Sequence, residues 1–362
     1  MEEPILFQIM AFVLGAAIGS FLNVCIYRLP LDLSVNKPKR SFCPSCKHQI
    51  PWHQNIPLVS WLTLRGRCAN CGAKIAFRYF GVELLTALLF LCVWRTFPPL
   101  LAVAYWVFVS LVIVATFIDF EHFIIPDQIT IGGTVAGIVA SLAVPELMDV
   151  DSRLAAVIRS VLAAALGYLV LWIVLEAGKV AFGRKRVRLD VPTPFLWKRK
   201  EDEADFTVGE EHSLWSEYFA RENDRLLLYC NEATIDHRSL GEVTLEFYYN
   251  RVRVGEQEFA LDALDQIAGV VRELQIPREA MGRGDLKFLA AIGAFLGWRA
   301  VLFSIFAGSV VGSVVGLVTL IIGKRVWSAK LPFGPYLAFG ALTWMFFGQA
   351  FIGWYLALLT PR

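Results

Sequence analysis

Four of the seven cysteines fall in an ordered pattern, Cys43-Pro-Ser-Cys46, then 21 residues, then Cys68-Ala-Asn-Cys71. Two such CxxC knuckles suit tetrahedral coordination of one zinc ion by four thiolates. Four thiolates leave no open position, so the ion's expected role is structural. Gly72 supplies turn flexibility after the second knuckle. The rival readings are a pair of disulfides or a redox dithiol, and the inferred cytoplasmic placement disfavours stable disulfides. Cys25, Cys92 and Cys230 stand outside the pattern and read as packed small hydrophobes.

The second chemistry is that of carboxylates at the edges of apolar runs. Glu83, Asp119, Glu121, Asp127, Glu176 and Asp285 are placed this way, and ionisable groups at such positions are costly enough to suggest function. Asp119 stands in Phe117-Ile118-Asp119-Phe120-Glu121-His122, followed by Ile125-Pro126-Asp127. Asp285 stands in Met281-Gly282-Arg283-Gly284-Asp285-Leu286-Lys287, where glycines permit close backbone approach. Two adjacent carboxylates can divide proton work, one held protonated as acid while the other serves as base. Such a pair can activate water against a peptide carbonyl and protonate the leaving amine. The alternatives are helix caps, ion pairs with Lys287 or His122, or a proton- or cation-coupled transporter.

The elements that must hold these groups are membrane spans. Of 362 residues, 56% are hydrophobic and 18% charged, against about 45–50% and about 25% in soluble domains. A soluble enzyme or a disordered scaffold does not fit, and a net charge of +2 gives no reason to expect nucleic acid. Apolar runs lie near 5–27, 81–97, 100–118, 129–145, 157–182, 286–298, 301–323 and 332–358, the sixth being short. Met1-Glu2-Glu3-Pro4 lacks a basic n-region, so the first run is expected to stay as an anchor. Residues 28–78 carry nine bases and one acid, Asp32, and Lys324, Arg325 and Lys330 separate the last two runs. With the N-terminus outside, this bias places 28–78, Asp119–Asp127, 184–280 and 324–330 in the cytoplasm. Residues 184–280 hold 20 of the 32 acids and 14 of the 34 bases, a net of −6, which leaves +8 on the rest. That stretch reads as a soluble insert.

Several further segments occur in order with these motifs. They are Gly19-Ser20-Phe21-Leu22-Asn23-Val24-Cys25, Asn55-Ile56-Pro57-Leu58-Val59-Ser60-Trp61, Arg78-Tyr79 with Val82-Glu83-Leu84-Leu85-Thr86, and Pro332-Phe333-Gly334-Pro335-Tyr336. Together with Ile118-Asp119…Pro126-Asp127 and Gly282-Arg283-Gly284-Asp285, they resemble the prepilin peptidase family, the bacterial type IV leader peptidases. The resemblance implies that Asp119 and Asp285 are the catalytic pair. It also implies cleavage of type IV prepilins or type II secretion pseudopilins after a glycine, with N-methylation of the new N-terminus by S-adenosylmethionine. Localisation would be the bacterial inner membrane. Glu121 stands where the family often has aspartate, and Phe80-Gly81 replaces a proline-containing step. The competing class is a non-catalytic membrane scaffold that docks partners through the ribbon.

The largest departure from the family is the insert, which separates Gly183-Arg184 from Arg278-Glu279-Ala280-Met281. Its basic start, Arg184-Lys185-Arg186 and Arg188, suits anionic headgroups. Leu226–Cys230, Val243–Tyr249 and Arg251–Val254 read as strands, and Leu261–Leu274 as an amphipathic helix through Leu261, Leu264, Ile267, Ala268 and Val271. His212 and His237 read as solvated or structural. The expected fold is an all-α polytopic membrane protein of about eight transmembrane helices, with a cytoplasmic zinc-ribbon loop and a small α+β soluble insert. The expected divisions are a first span in 1–30, the ribbon in 31–78, spans two to five in 79–183, the insert in 184–280, and spans six to eight in 281–362.

Overall fold

Apolar segments with no water to satisfy their backbone must close their hydrogen bonds internally, and helices do so. The computed structural model describes residues 4–38, 41–182, 184–200, 204–209, 211–219, 225–236, 238–277, 282–322 and 332–359. Lys39, Arg40, His237, 278–281, Lys324, Arg325 and Lys330 therefore lie outside the described residues. The helices are α1 (Ile5–Arg28), a short α2 (Val59–Thr63), α3 (Phe77–Thr96), α4 (Pro99–His122), α5 (Asp127–Ala143), α6 (Arg153–Phe182), α7 (Arg283–Ile321) and α8 (Gly334–Leu359). Six of them, all but α2 and α5, are long and apolar enough to cross a membrane. Their exposed positions carry Leu6, Val13, Leu100, Leu162, Phe306 and Leu317, a density of bare apolar surface that water would not tolerate.

The sixth and seventh apolar runs share α7, which breaks at Gly297, where φ is 77° and ψ 176°. A β-carbon built on Gly293 would lie 3.0 Å from Val301 Cγ2. Residues eight apart in a straight helix are separated by about 12 Å, so the chain folds back sharply at Gly297 into segments 283–296 and 298–321. The positive φ requires glycine at the turn.

Chain units 1–172 and 282–362 form one compact body, and 173–281 form a second. The second holds a nine-stranded antiparallel sheet of β1 (Arg184–Lys198), β2 (Asp205–Val208), β3 (Glu211–Leu214), β4 (Leu226–Ile235), β5 (Arg238–Leu240), β6 (Val243–Phe247), β7 (Arg251–Val254), β8 (Gln257–Ala260) and β9 (Gln266–Pro277). The order is β3-β2-β1-β9-β4-β6-β7-β8, with β5 on β4. Phe195, Trp197, Phe206, Trp215, Leu228 and Phe247 fill its core. Strands occupy the three expected segments. The expected helix over 261–274 is overturned, because a short 3-10 turn at Leu261–Ala263 leads directly into β9. Ile267, Val270 and Val271 are β-branched and stiff in a helix, and β1 and β4 offer hydrogen bonds on both edges of this segment. Leu261, Leu264, Ile267 and Val271 are still buried, so the apolar spacing was real and its period misleading. Among the described residues the insert is therefore all-β instead of α+β. His212 is exposed on β3.

Candidate functional site

Asp119 lies in the last turn of α4, where the Phe123 N–H closes the helix on its carbonyl at 3.0 Å and Pro126 begins the next helix. Asp285 lies in the first turn of α7. The two side chains are 5% and 7% exposed and close enough to interact electrostatically. Ile125, itself buried, packs beside the glycines at the starts of α7 and α8. A β-carbon on Gly284 would be 3.2 Å from its Cβ, and one on Gly334 would be 3.0 Å from its Cδ1. The third member of the cluster is thus the start of α8, where the Gly334 N–H donates to Asp119 Oδ2 at 2.9 Å. Gly334 belongs to a segment already singled out by sequence, yet its contact with Asp119 was not foreseen. The only clue was a glycine between Phe333 and Pro335 just ahead of an apolar run.

The remaining carboxylates separate from this pair by their partners. Asp127 Oδ1 pairs with Lys287 Nζ at 2.6 Å, Glu121 pairs with Arg78, and Glu83 Oε2 accepts the Leu58 N–H at 2.7 Å. Glu176 lies on α6, in the unit that carries the insert. Among the described residues, no base forms an ion pair with Asp119 or Asp285. Lys287, the nearest sequence candidate to neutralise Asp285, is engaged elsewhere. The arrangement leaves two buried carboxylates at neighbouring helix ends, neither neutralised by a base among the described residues.

Each CxxC forms a tight knuckle. The Cys43 N–H donates to the His48 carbonyl and the Lys47 N–H to the Cys43 carbonyl; the Cys68 N–H donates to Ala73 and the Gly72 N–H to Cys68. Lys47 and Gly72 are equivalent, both with positive φ of 58° and 70°. The four sulfurs lie within 4.8 Å of one another, and Cys43 and Cys71 Sγ are 3.9 Å apart. A metal about 2.3 Å from each sulfur demands this kind of spacing, and no disulfide competes, since all seven cysteines are free. The His48 N–H and then the Asn70 amide hold the Cys46 thiol down to about 6, and backbone N–H groups of Cys71 and Asn70 lower Cys68. Against the lowering effect of the Ala73 N–H, hydrogen bonding with Cys46 and the neighbouring thiols pushes Cys71 up to about 11, so the metal-free cluster keeps protons that binding a metal must release. Of the other cysteines, Cys25 and Cys230 are buried as expected, while Cys92 is exposed on α3.

Two family models match the chain, the bacterial peptidase A24 N-terminal domain over residues 13–97 and the type IV leader peptidase family over 106–185 and 263–317. A prepilin leader peptidase/N-methyltransferase of Myxococcus xanthus is 50% identical over 145 residues, 40% of this chain and 42% of that protein. Proteins of the same description from Aeromonas hydrophila and Legionella pneumophila are 29% and 27% identical. Both alignments cover 98% of this chain, with 95% and 96% of the respective relatives. No solved structure matches significantly.

Proposed function

The chain belongs to the type IV leader peptidase family, and from that premise we propose that it cleaves the leader of a type IV prepilin or type II secretion pseudopilin after a glycine, then N-methylates the exposed residue. The observation that carries the peptidase reading is the meeting of Asp119 and Asp285, buried and without a neutralising base among the described residues. One carboxylate, ionised, takes a proton from water as the oxygen attacks the scissile carbonyl; the other, protonated, hydrogen-bonds the carbonyl oxygen. Collapse of the tetrahedral intermediate breaks the C–N bond while a carboxylic acid gives its proton to the leaving nitrogen. The Gly334 N–H fixes which way Asp119 faces. No observation of the site favours a scaffold.

Zinc is the ion that the four thiolates suit, and its role is to hold the ribbon. When bound, S-adenosylmethionine supplies an electrophilic methyl carbon: the amine lone pair forms the N–C bond, the C–S electrons stay on sulfur, and the surplus proton passes to water. The lysine and arginine bias supports a bacterial inner-membrane location with ribbon, insert and carboxylates facing the cytoplasm. Eight crossings follow when the halves of α7 are counted separately. The deciding experiment incubates purified protein with a prepilin, with and without S-adenosylmethionine, and weighs the products. A substrate that keeps its leader overturns the peptidase reading, and a cleaved product with no added methyl group overturns the second activity.

Two further outcomes are expected. Gly334→Ala should slow cleavage by about 10- to 100-fold, because the new β-carbon would stand 2.7 Å from Asp119 Oδ2 and must displace it. Initial rates of prepilin cleavage measure this, and an unchanged rate would remove Gly334 from the site. Replacing 185–277 with a short flexible linker should preserve cleavage in detergent. Arg184 and Pro277 are paired across β1 and β9, so the cut ends are adjacent, and loop closure changes by only about 0.6 kcal/mol per doubling of length. A zinc-loaded deletion protein with no cleavage would place part of the site in the insert.

A further inference from the structure

The turn that carries the chain from Asp119 into α5 exposes apolar side chains among polar ones. Phe120, Phe123 and Ile124 are 53%, 47% and 49% exposed. Around them in sequence, Glu121 pairs with Arg78 and Asp127 with Lys287, and the two acidic side chains are 40% and 59% open. His122 is exposed as well. Charged groups so placed lie outside hydrocarbon, so lipid tails do not account for the bare rings. The backbone makes the choice of residue costlier still. Phe123 takes the left-handed conformation, with φ 56° and ψ 29°, at a position where helices ordinarily put glycine. It is the only aromatic residue with positive φ among those described. Glycine would end α4 without strain, so the strain is tolerated there for the sake of the ring.

The use of that ring follows from where the turn lies. The Phe123 N–H donates to the Asp119 carbonyl at 3.0 Å, and Ile125, two residues on, packs beside Gly284 and Gly334 at the starts of α7 and α8. Phe123 and Ile124 therefore border the carboxylate pair. Four helical residues rise about 6 Å, and an extended peptide advances about 3.3–3.6 Å per residue. A substrate side chain one or two residues from a bond held at Asp119 thus falls level with Phe123. Resting on the peptidase part of the proposed function, we propose that Phe120, Phe123 and Ile124 form the specificity surface for the prepilin, receiving an apolar side chain that flanks the scissile bond. A glycine at the cut has no side chain to grip, so selection has to act on its neighbours. The charged groups beside the turn are already paired, Glu121 with Arg78 and Asp127 with Lys287, which leaves apolar contact as the chemistry on offer. Covering the three side chains takes apolar surface out of water, and that is the driving force of the contact.

The test is steady-state cleavage of a prepilin by the purified full chain in detergent, with KM and kcat separated. Phe123→Ser and Ile124→Ser are each expected to raise KM about tenfold or more with kcat held within about twofold, the pattern of lost ground-state binding. Phe123→Leu, still apolar, should bring KM back to within about threefold of wild type. Phe123→Gly removes the strain and the ring together, so its thermal midpoint should match or exceed that of the wild type while KM rises as in Phe123→Ser. Serine placed in turn on each side of the scissile glycine should impair the wild type at one of those positions. Phe123→Ser should lose little more on that substrate, because the two changes remove one contact. A folded Phe123→Gly with wild-type KM overturns the proposal. So does a kcat that falls at unchanged KM, which would make the turn a support for Asp119 and nothing more. A wild-type chain that cleaves no prepilin overturns the peptidase reading and this surface together.

Discussion

Asp119→Asn and Asp285→Asn are each expected to lower prepilin cleavage by about a thousandfold or more. Positioned acid–base groups contribute about 10²- to 10⁴-fold, and here one pair must supply both the base that activates water and the acid that frees the amine. An amide can perform neither step. The substitutions are nearly isosteric, and the oxygen of an asparagine at 119 can still accept the Gly334 N–H that holds Asp119 at 2.9 Å. Folding, bound zinc and binding of the methyl donor should therefore persist, which separates lost chemistry from lost structure. Rates come from mass spectrometry of timed digests in detergent. Either variant cleaving at even a tenth of the wild-type rate would sink the assignment of the pair.

The second large effect concerns the metal. Cys43→Ser or Cys68→Ser should empty the four-thiolate site and unfold residues 41–76 as a unit. In that stretch Cys43 is the sole buried hydrophobic residue among those described, and Trp52 is 77% exposed. A segment without an apolar core depends on its metal for folding, and structural zinc in small fingers supplies apparent binding energies of about 10–16 kcal/mol. Metal analysis alongside limited proteolysis reads both halves of the expectation. A metal-free variant that resists proteolysis between 41 and 76 as well as the wild type does would show that something else holds the ribbon.

The membrane helices were readable because a run near 20 apolar residues has few alternatives, and the short sixth run at 286–298 correctly announced a helix that stops early at Gly297. The knuckles were readable because thiolates at CxxC spacing have few other uses. The helix expected over 261–274 failed for a different reason. Positions 261, 264, 267 and 271 satisfy a helical period and are buried, but the hydrogen-bond partners that made the segment a strand, β1 and β4, lie far away in sequence. The same nonlocality hid the sorting of the carboxylates. Lys287 is two residues from Asp285, yet it pairs with Asp127, 160 positions distant. Backbone donors such as the Gly334 N–H carry no side-chain signature at all, and Lys47 occupies a left-handed position that only its counterpart Gly72 advertises.

The break in α7 also bears on the lipid around the protein. Its first segment, 283–296, is about 21 Å long, and α5, with 17 residues, about 25 Å. The two pack together, and α5 turns Val135, Val139 and Leu142 outward. A bilayer core is about 30 Å thick, so hydrocarbon meeting this flank is mismatched by several ångströms and must thin to cover it. The flank is the one that carries Asp127 and Asp285 at its end. Thinned lipid there shortens the distance from headgroups to the carboxylates, and so would give the proposed hydrolytic pair, buried in an apolar bundle, a short route to water.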